Sequence, residues 1–117
     1  MQAKAIVADD HPLFRSAMKQ AIQGVLGSDI FEAASYQQTI DLLKEHNDVE
    51  LIFLDLNMPG NDGLTGLTLI RSQFPDVLVA IVSGDESPSM VRKAIDFGAC
   101  GYIPKSTPLP MIAAAVQ

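Results

Sequence analysis

Three apolar runs without polar alternation constrain this chain most: Ala5-Ile6-Val7-Ala8, Leu51-Ile52-Phe53-Leu54 and Val77 to Val82. A strand that is apolar at every position is covered on both faces, the condition of a parallel sheet with helices above and below it. Ile30-Phe31 and Tyr102-Ile103 are weaker companions. Between these runs, apolar residues recur at helical spacing: Phe14, Ala17, Met18, Ala21, Ile22 and Val25, then Ile40 with Leu43, then Leu64, Leu67 and Ile70, then Val91, Ala94 and Ile95. A fifth helical segment, Pro108 to Gln117, carries Leu109, Ile112 and Val116. Pro12, Pro88 and Pro108 stand where helices can begin, the latter two behind Ser87 and Thr107 as N-caps, and Gly98 stops the fourth helix. Strands and helices therefore alternate, which predicts a doubly wound α/β sheet of five parallel strands with helices on both faces.

At 117 residues and 48% hydrophobic content, the chain is one domain with one core. Fourteen acidic against eight basic residues leave a formal charge of −6, which argues against a nucleic-acid groove or an anionic membrane as partner of this segment. No apolar run approaches the length needed to span a bilayer, and Met1-Gln2-Ala3-Lys4 leads directly into a strand, so a soluble, cytoplasmic domain is expected. Cys100 is alone, which excludes an internal disulfide or a multi-cysteine zinc site. The fifth helix reaches the last residue with neither cap nor polar tail, as expected of a fragment of a longer chain.

In open parallel sheets the working site lies beyond the carboxyl ends of the strands, and for strand order 2-1-3-4-5 the winding reverses between the first and third. Those ends carry chemistry here. Asp9-Asp10 follow the first strand, Asp55 ends the third, Ser83 follows the fourth and Lys105 the fifth. Three carboxylates about 4 Å apart repel by roughly 4 kcal/mol per pair at an effective dielectric near 20. Lys105 offsets part of that, and a hard divalent ion would offset the rest. Mg²⁺ suits such a site better than Ca²⁺, because no loop here offers six or more oxygens.

With these residues in place, the chain resembles the receiver domain of two-component response regulators over essentially residues 1–117. Five features match in order: Asp9-Asp10, Asp55, Met58-Pro59-Gly60 behind it, Ser83, and Tyr102 with Lys105. The runs Asp9-Asp10-His11-Pro12-Leu13-Phe14-Arg15 and Asp55-Leu56-Asn57-Met58-Pro59-Gly60 are similar to the subgroup whose receivers precede a LuxR-type helix-turn-helix DNA-binding domain. The resemblance implies a flavodoxin-like sheet of order 2-1-3-4-5 and a phosphoacceptor rather than a metabolic enzyme. The donor would be a sensor histidine kinase or phosphotransfer protein, and the acceptor Asp55. It implies Mg²⁺ held by Asp10 and Asp55, by Asp9 through a water, and by the Asn57 backbone carbonyl. Lys105 would contact the phosphoryl oxygens. Ser83 would hydrogen-bond the phosphoryl group, and Tyr102 would follow it inward as the second half of a switch. The fourth helix, fifth strand and fifth helix would report the change and offer the face through which two copies could pair. Control of transcription through an output domain absent from these residues would be the consequence.

Asn57 and Asp85 occupy positions whose side chains modulate phosphate lifetime in the family. Ser106 stands where proline is frequent after the lysine, and Gly84 where alanine is usual, which would loosen the switch loop. Asp62 is expected to cap the third helix. His11 is expected simply to begin the first helix without a partner, rather than to act as base or ligand. His46 is expected to be a solvated helix end, and Cys100 buried filler. Three rivals stand beside this reading. A haloacid-dehalogenase-type, Mg²⁺-dependent aspartyl phosphatase needs a second aspartate where this chain has Asn57. A flavodoxin-type carrier needs a hydroxyl-rich loop where it has Asp9-Asp10-His11-Pro12. A receiver-like interaction module that is never phosphorylated would not need the intact acid set.

Overall fold

The computed structural model describes residues 4–26, 29–58 and 64–116, and their side chains except those of Leu26 and residues 113–116. Strands and helices alternate through the chain: β1 Lys4–Ala8, α1 Pro12–Leu26, β2 Ile30–Ala33, α2 Tyr36–Glu45, β3 Val49–Asp55, α3 Thr65–Gln73, β4 Leu78–Ser83, α4 Pro88–Asp96, β5 Gly101–Pro104 and α5 Leu109–Val116. The sheet is wholly parallel in the order β2-β1-β3-β4-β5, the flavodoxin-like arrangement that the resemblance to receiver domains implies.

The two-residue period of the strands sorts the core into two halves. Ala5, Val7, Phe53, Ala80 and Val82 face one way, where Met18 and Ile22 of α1 and Ile112 of α5 cover them. Ile6, Ala8, Ile52, Leu54, Val79 and Ile81 face the other, against Ile40 and Leu43 of α2, Leu67 and Ile70 of α3 and Ala94 of α4. Both faces are dry through Ile52 to Leu54 and Val79 to Val82, so these strands carry no polar residue there until they reach the carboxyl edge. Continued past the strand ends, the same parity places Asp9, Asp55 and Lys105 on the α1/α5 side with Val7, Phe53 and Ile103. Ser83 and Tyr102 fall on the α4 side with Ile81. The acids and the switch residues thus approach the same edge from opposite faces of the sheet.

The helix ends show the expected chemistry, with two changes. Ser87 caps α4, its Oγ accepting from the Met90 amide at 3.4 Å with Pro88 behind it. Gly98 ends that helix at φ 106°: its amide donates to Ile95 and the Ala99 amide to Ala94, the paired bonds of a Schellman turn. Ser35 caps α2. In α5, however, helix begins at Leu109 rather than behind a Thr107 cap. The Pro108 carbonyl accepts from the Met111 and Ile112 amides, and Pro110 occupies the second helical position, where no amide donor is needed. Ile95, counted into the apolar stripe of α4, is instead 46% exposed and only Ala94 is buried there. Cys100 is exposed, not buried filler: the turn at Gly98 seats Ala99 in the core and directs its neighbour outward. Asp62, Pro59, Gly60 and the opening Met1-Gln2-Ala3 lie outside the described residues, and α3 starts behind Leu64 without a side-chain cap. Among the described residues there is no cis peptide bond, so the Lys105-Ser106 bond is trans. Among the described residues no helix is long and apolar enough to cross a membrane.

Candidate functional site

Asp9 and Asp55 end adjacent strands, with Ala8 paired to Leu54, and their side chains are 2% and 1% exposed. Lys105, arriving after β5, reaches between them: its Nζ lies 3.0 Å from Asp9 Oδ2 and 3.1 Å from Asp55 Oδ2, and sits 5.1 Å over the Phe14 ring. The loop after β1 is held from two sides. The His11 amide donates to Asp9 Oδ1 at 2.8 Å, and the Arg15 guanidinium donates to the Asp9 carbonyl at 2.8 Å and to Glu32 of β2 at 3.0 Å. Sequence reading missed Arg15 in this role. The signal was its place one helical turn behind the acids, with Glu32 on the neighbouring strand. Below Asp55, the Asn57 amide donates to Asp55 Oδ1 at 3.1 Å, fixing the carboxylate; the Asn57 side chain is exposed.

This surrounding divides the two buried acids. Burial disfavours ionised Asp9, but the His11 amide, the Lys105 ammonium and the His11 ring outweigh it and hold its pKa below the ordinary carboxylate value. For Asp55, burial together with the Asp9 charge prevails over the Asn57 amide and Lys105, and its pKa is raised. Burial also disfavours charged Lys105, yet its bonds to Asp9 and Asp55 win and raise its pKa. Asp9 and Lys105 therefore form an ion pair, and Asp55 is the carboxylate that gains most from a further positive charge. One donor atom from each of Asp9, Asp10, His11 and Asp55 can be chosen so that all lie within 4.8 Å of one another. Asp9 Oδ2 and Asp10 Oδ1 are buried oxygens that accept no aligned hydrogen bond, even with Lys105 close to the first. Oxygen-rich, negatively charged and under-satisfied, the site fits a divalent cation. His11 belongs to it, against expectation. Its Nδ1 is 2.9 Å from Asp9 Oδ1, 3.2 Å from Asp10 Oδ1 and 3.1 Å from Lys105 Nζ, because the turn that bonds its amide to Asp9 also brings its ring over the acids.

On the α4 side, Ser83 is fully buried and its Oγ accepts from the Asp85 amide at 3.0 Å. Asp85 is tied into the same loop. Its carboxylate accepts from the Ser87 amide at 2.9 Å, which lowers its pKa, and its carbonyl accepts the Tyr102 hydroxyl. Ser106 Oγ donates to Glu86 at 3.0 Å, joining the loops after β4 and β5. Ser83, Asp85 and Tyr102 are thus one hydrogen-bonded unit. Beside the acids, His11, Pro12, Leu13, Phe14 and Lys105 line an open hollow of about 470 Å³, with Leu13 89% exposed. A second hollow, about 320 Å³, lies at the opposite end of the sheet between the C-termini of α2 and α3, away from all of this chemistry. At its rim His46 ends α2, as expected, but stacks on Phe31 with centroids 4.2 Å apart.

The family model of the response regulator receiver domain matches residues 5–117. The chain belongs to the response regulator receiver family. This receiver is 43% identical over 115 residues to a glycerol metabolism activator of Pseudomonas putida, covering 97% of the receiver and 52% of that protein. Among solved structures, the signal receiver domain of the putative response regulator NarL from Mycobacterium tuberculosis superposes with a TM-score of 0.86 at 30% identity, covering 98% of this receiver and 93% of that chain. A LuxR family DNA-binding response regulator from Silicibacter pomeroyi does so with a TM-score of 0.83, also at 30% identity, covering 97% and 88%. The last of these is by its name of the LuxR-type subgroup that the two sequence runs resemble. The receiver spans about half the length of the curated relatives it matches.

Proposed function

We propose that this receiver accepts a phosphoryl group on Asp55 from the phosphohistidine of a sensor kinase or phosphotransfer protein, and that the phosphorylated state controls an attached output. The observation that carries the reading is the buried Asp55 carboxylate at the end of β3, with Lys105 Nζ 3.1 Å away and Asp9 beside it. An Asp55 oxygen attacks phosphorus as the P–N bond breaks, and the electron pair leaves with the imidazole nitrogen, giving an acyl phosphate. The protein's work in such a transfer is positioning and charge stabilisation. The Asn57 amide fixes the nucleophile, and Lys105 stands where it can follow the phosphoryl oxygens. Asp9, Asp10, Asp55 and the Asn57 carbonyl would hold Mg²⁺, which supplies neutralising charge to those oxygens when bound. The apolar hollow around Leu13 and Phe14 offers the donor a surface beside the nucleophile.

The outcome is signalling, not turnover: the receiver catalyses only its own phosphorylation and slow hydrolysis, the lifetime tuned by Asn57 and Asp85. Readout runs through the Ser83–Asp85–Tyr102 unit. The Ser83 hydroxyl keeps its own proton to donate, and movement of Ser83 would carry the loop to which Tyr102 is bonded. A phosphoryl group that binds one arrangement better by a few kcal/mol suffices to switch the surface of α4, β5 and α5. The relatives' names support transcriptional control by a DNA-binding segment outside these residues, with pairing of two copies as one means. The test is incubation with phosphoramidate, a small P–N donor, with and without chelator, followed by mapping of the modified residue. Modification of Asp55 that requires the divalent ion is expected. Catalytic release of phosphate from small esters would favour an aspartyl phosphatase instead.

A further inference from the structure

We propose that the His11 imidazole is a fourth side-chain donor at the acidic site, giving this receiver a stronger hold on divalent ions that accept nitrogen, such as Co²⁺ and Zn²⁺, than its carboxylates alone provide. The inference rests on the reading of Asp9, Asp10 and Asp55 as metal holders.

Nδ1 lies 2.9 Å from Asp9 Oδ1, 3.2 Å from Asp10 Oδ1 and 3.9 Å from Asp55 Oδ2. Donors sharing one ion through bonds of about 2.1 Å stand about 3.0 Å apart when adjacent and about 4.2 Å apart when opposite, so these separations are those of a common coordination sphere. Hydrogen bonding alone does not settle Nδ1. The Asp9 carboxylate only accepts, so Nδ1 must carry a proton to serve it; the Lys105 ammonium, 3.1 Å away, only donates, so Nδ1 must be bare to serve that. A cation among the oxygens resolves the conflict, because the bare nitrogen and the carboxylates then face one positive centre. Two further facts point to a ligand. Asp10 Oδ1 is buried with no donor aligned on it, and Asp9 Oδ2, of a side chain 2% exposed, faces only the Lys105 ammonium 3.0 Å away, which is shared with Asp55. The His11 backbone is also held beside the acids, because its amide is bonded to Asp9 and Pro12 starts α1 immediately behind it. Mg²⁺ draws little from a nitrogen donor, whereas imidazole suits the later divalent metals.

Binding of Co²⁺ and of Mg²⁺ is measured by calorimetry in a Cys100→Ser background, which removes the exposed thiol, with the visible absorption of bound Co²⁺ as second readout. His11→Ala is expected to weaken Co²⁺ by about tenfold or more and to alter its spectrum, while leaving Mg²⁺ affinity within about threefold. His11→Asn should lose the same selectivity while retaining a polar side chain, which guards against a folding defect in the alanine variant. His46→Ala should change neither ion. Equal losses for both ions would make His11 a positioning residue and overturn the proposal, as would an unchanged Co²⁺ affinity and spectrum. Phosphoramidate labelling in parallel separates the two readings: failure to label Asp55 with Co²⁺ selectivity intact refutes the phosphoacceptor, not the His11 site.

Discussion

Replacing Lys105 with methionine removes one charge and keeps most of the stem, so the site's electrostatics can be tested apart from its packing. At 3.0 and 3.1 Å from Asp9 and Asp55, the ammonium has a Coulomb attraction of about 5 kcal/mol to each at an effective dielectric near 20, offset by the cost of burying the charges. Removing one partner of a buried pair costs about 3–5 kcal/mol. Lys105 is 20% exposed and water can follow into the space, so a loss of about 2–3 kcal/mol is expected at pH 7.5 without divalent ion. With a urea slope of about 1.5 kcal/mol per M, the midpoint falls by about 1.3–2 M. The sign with pH follows from the acids. Without Lys105 the folded-state carboxylates bind protons more tightly than the unfolded ones, so the deficit shrinks as pH falls from 7.5 towards 5 (about the upper edge of carboxylate titration). It shrinks likewise in MgCl₂, whose charge replaces the ammonium. Urea melts at both pH values, with and without 10 mM (about that order) MgCl₂, measure this. A deficit that is the same under all four conditions would refute the electrostatic account and assign the loss to contact with Phe14.

Three further outcomes are expected. Asp55→Asn raises the urea midpoint at pH 7.5 without divalent ion, because a buried acid whose pKa is raised costs stability once ionised. The gain fades as pH falls through that raised value, and a constant gain would count against the cause. Gly98→Ala costs about 1–2 kcal/mol, since φ 106° disfavours a Cβ, which would also meet the Arg71 side chain at 3.2 Å; thermal melting with no change would contradict it. Tyr102→Phe loses about 1 kcal/mol with its bond to the Asp85 carbonyl and speeds amide exchange in the β4–α4 loop, and unchanged exchange there would exclude the coupling.

The alternation of strands and helices and the convergence of Asp9, Asp55, Ser83 and Lys105 were legible in the residues, because apolar runs set the strands and parallel winding sends their carboxyl ends to one edge; the strand order came only with the resemblance to receiver domains. Side-chain geometry was not. His11 was set aside for want of a partner, but a single turn bonds its amide to Asp9 and folds its ring over the acids. Spacing along a helix does not reveal that. Cys100 was misplaced because the left-handed turn at Gly98 resets which residues face the core after α4, and Ile95 because α4 buries only Ala94, a narrower stripe than its apolar spacing suggests. The Arg15 bridge to Glu32 needed knowledge that β2 lies beside β1.

The central claim is that Asp55 is the phosphoacceptor, and the most direct test is intact-mass and peptide-mapping analysis after incubation with acetyl phosphate and Mg²⁺. The wild-type receiver should gain a single hydroxylamine-labile phosphoryl group on Asp55, and the Asp55→Asn variant none. A group that persists on another residue of that variant, or a wild type that binds Mg²⁺ yet takes up no phosphoryl group, would contradict the account.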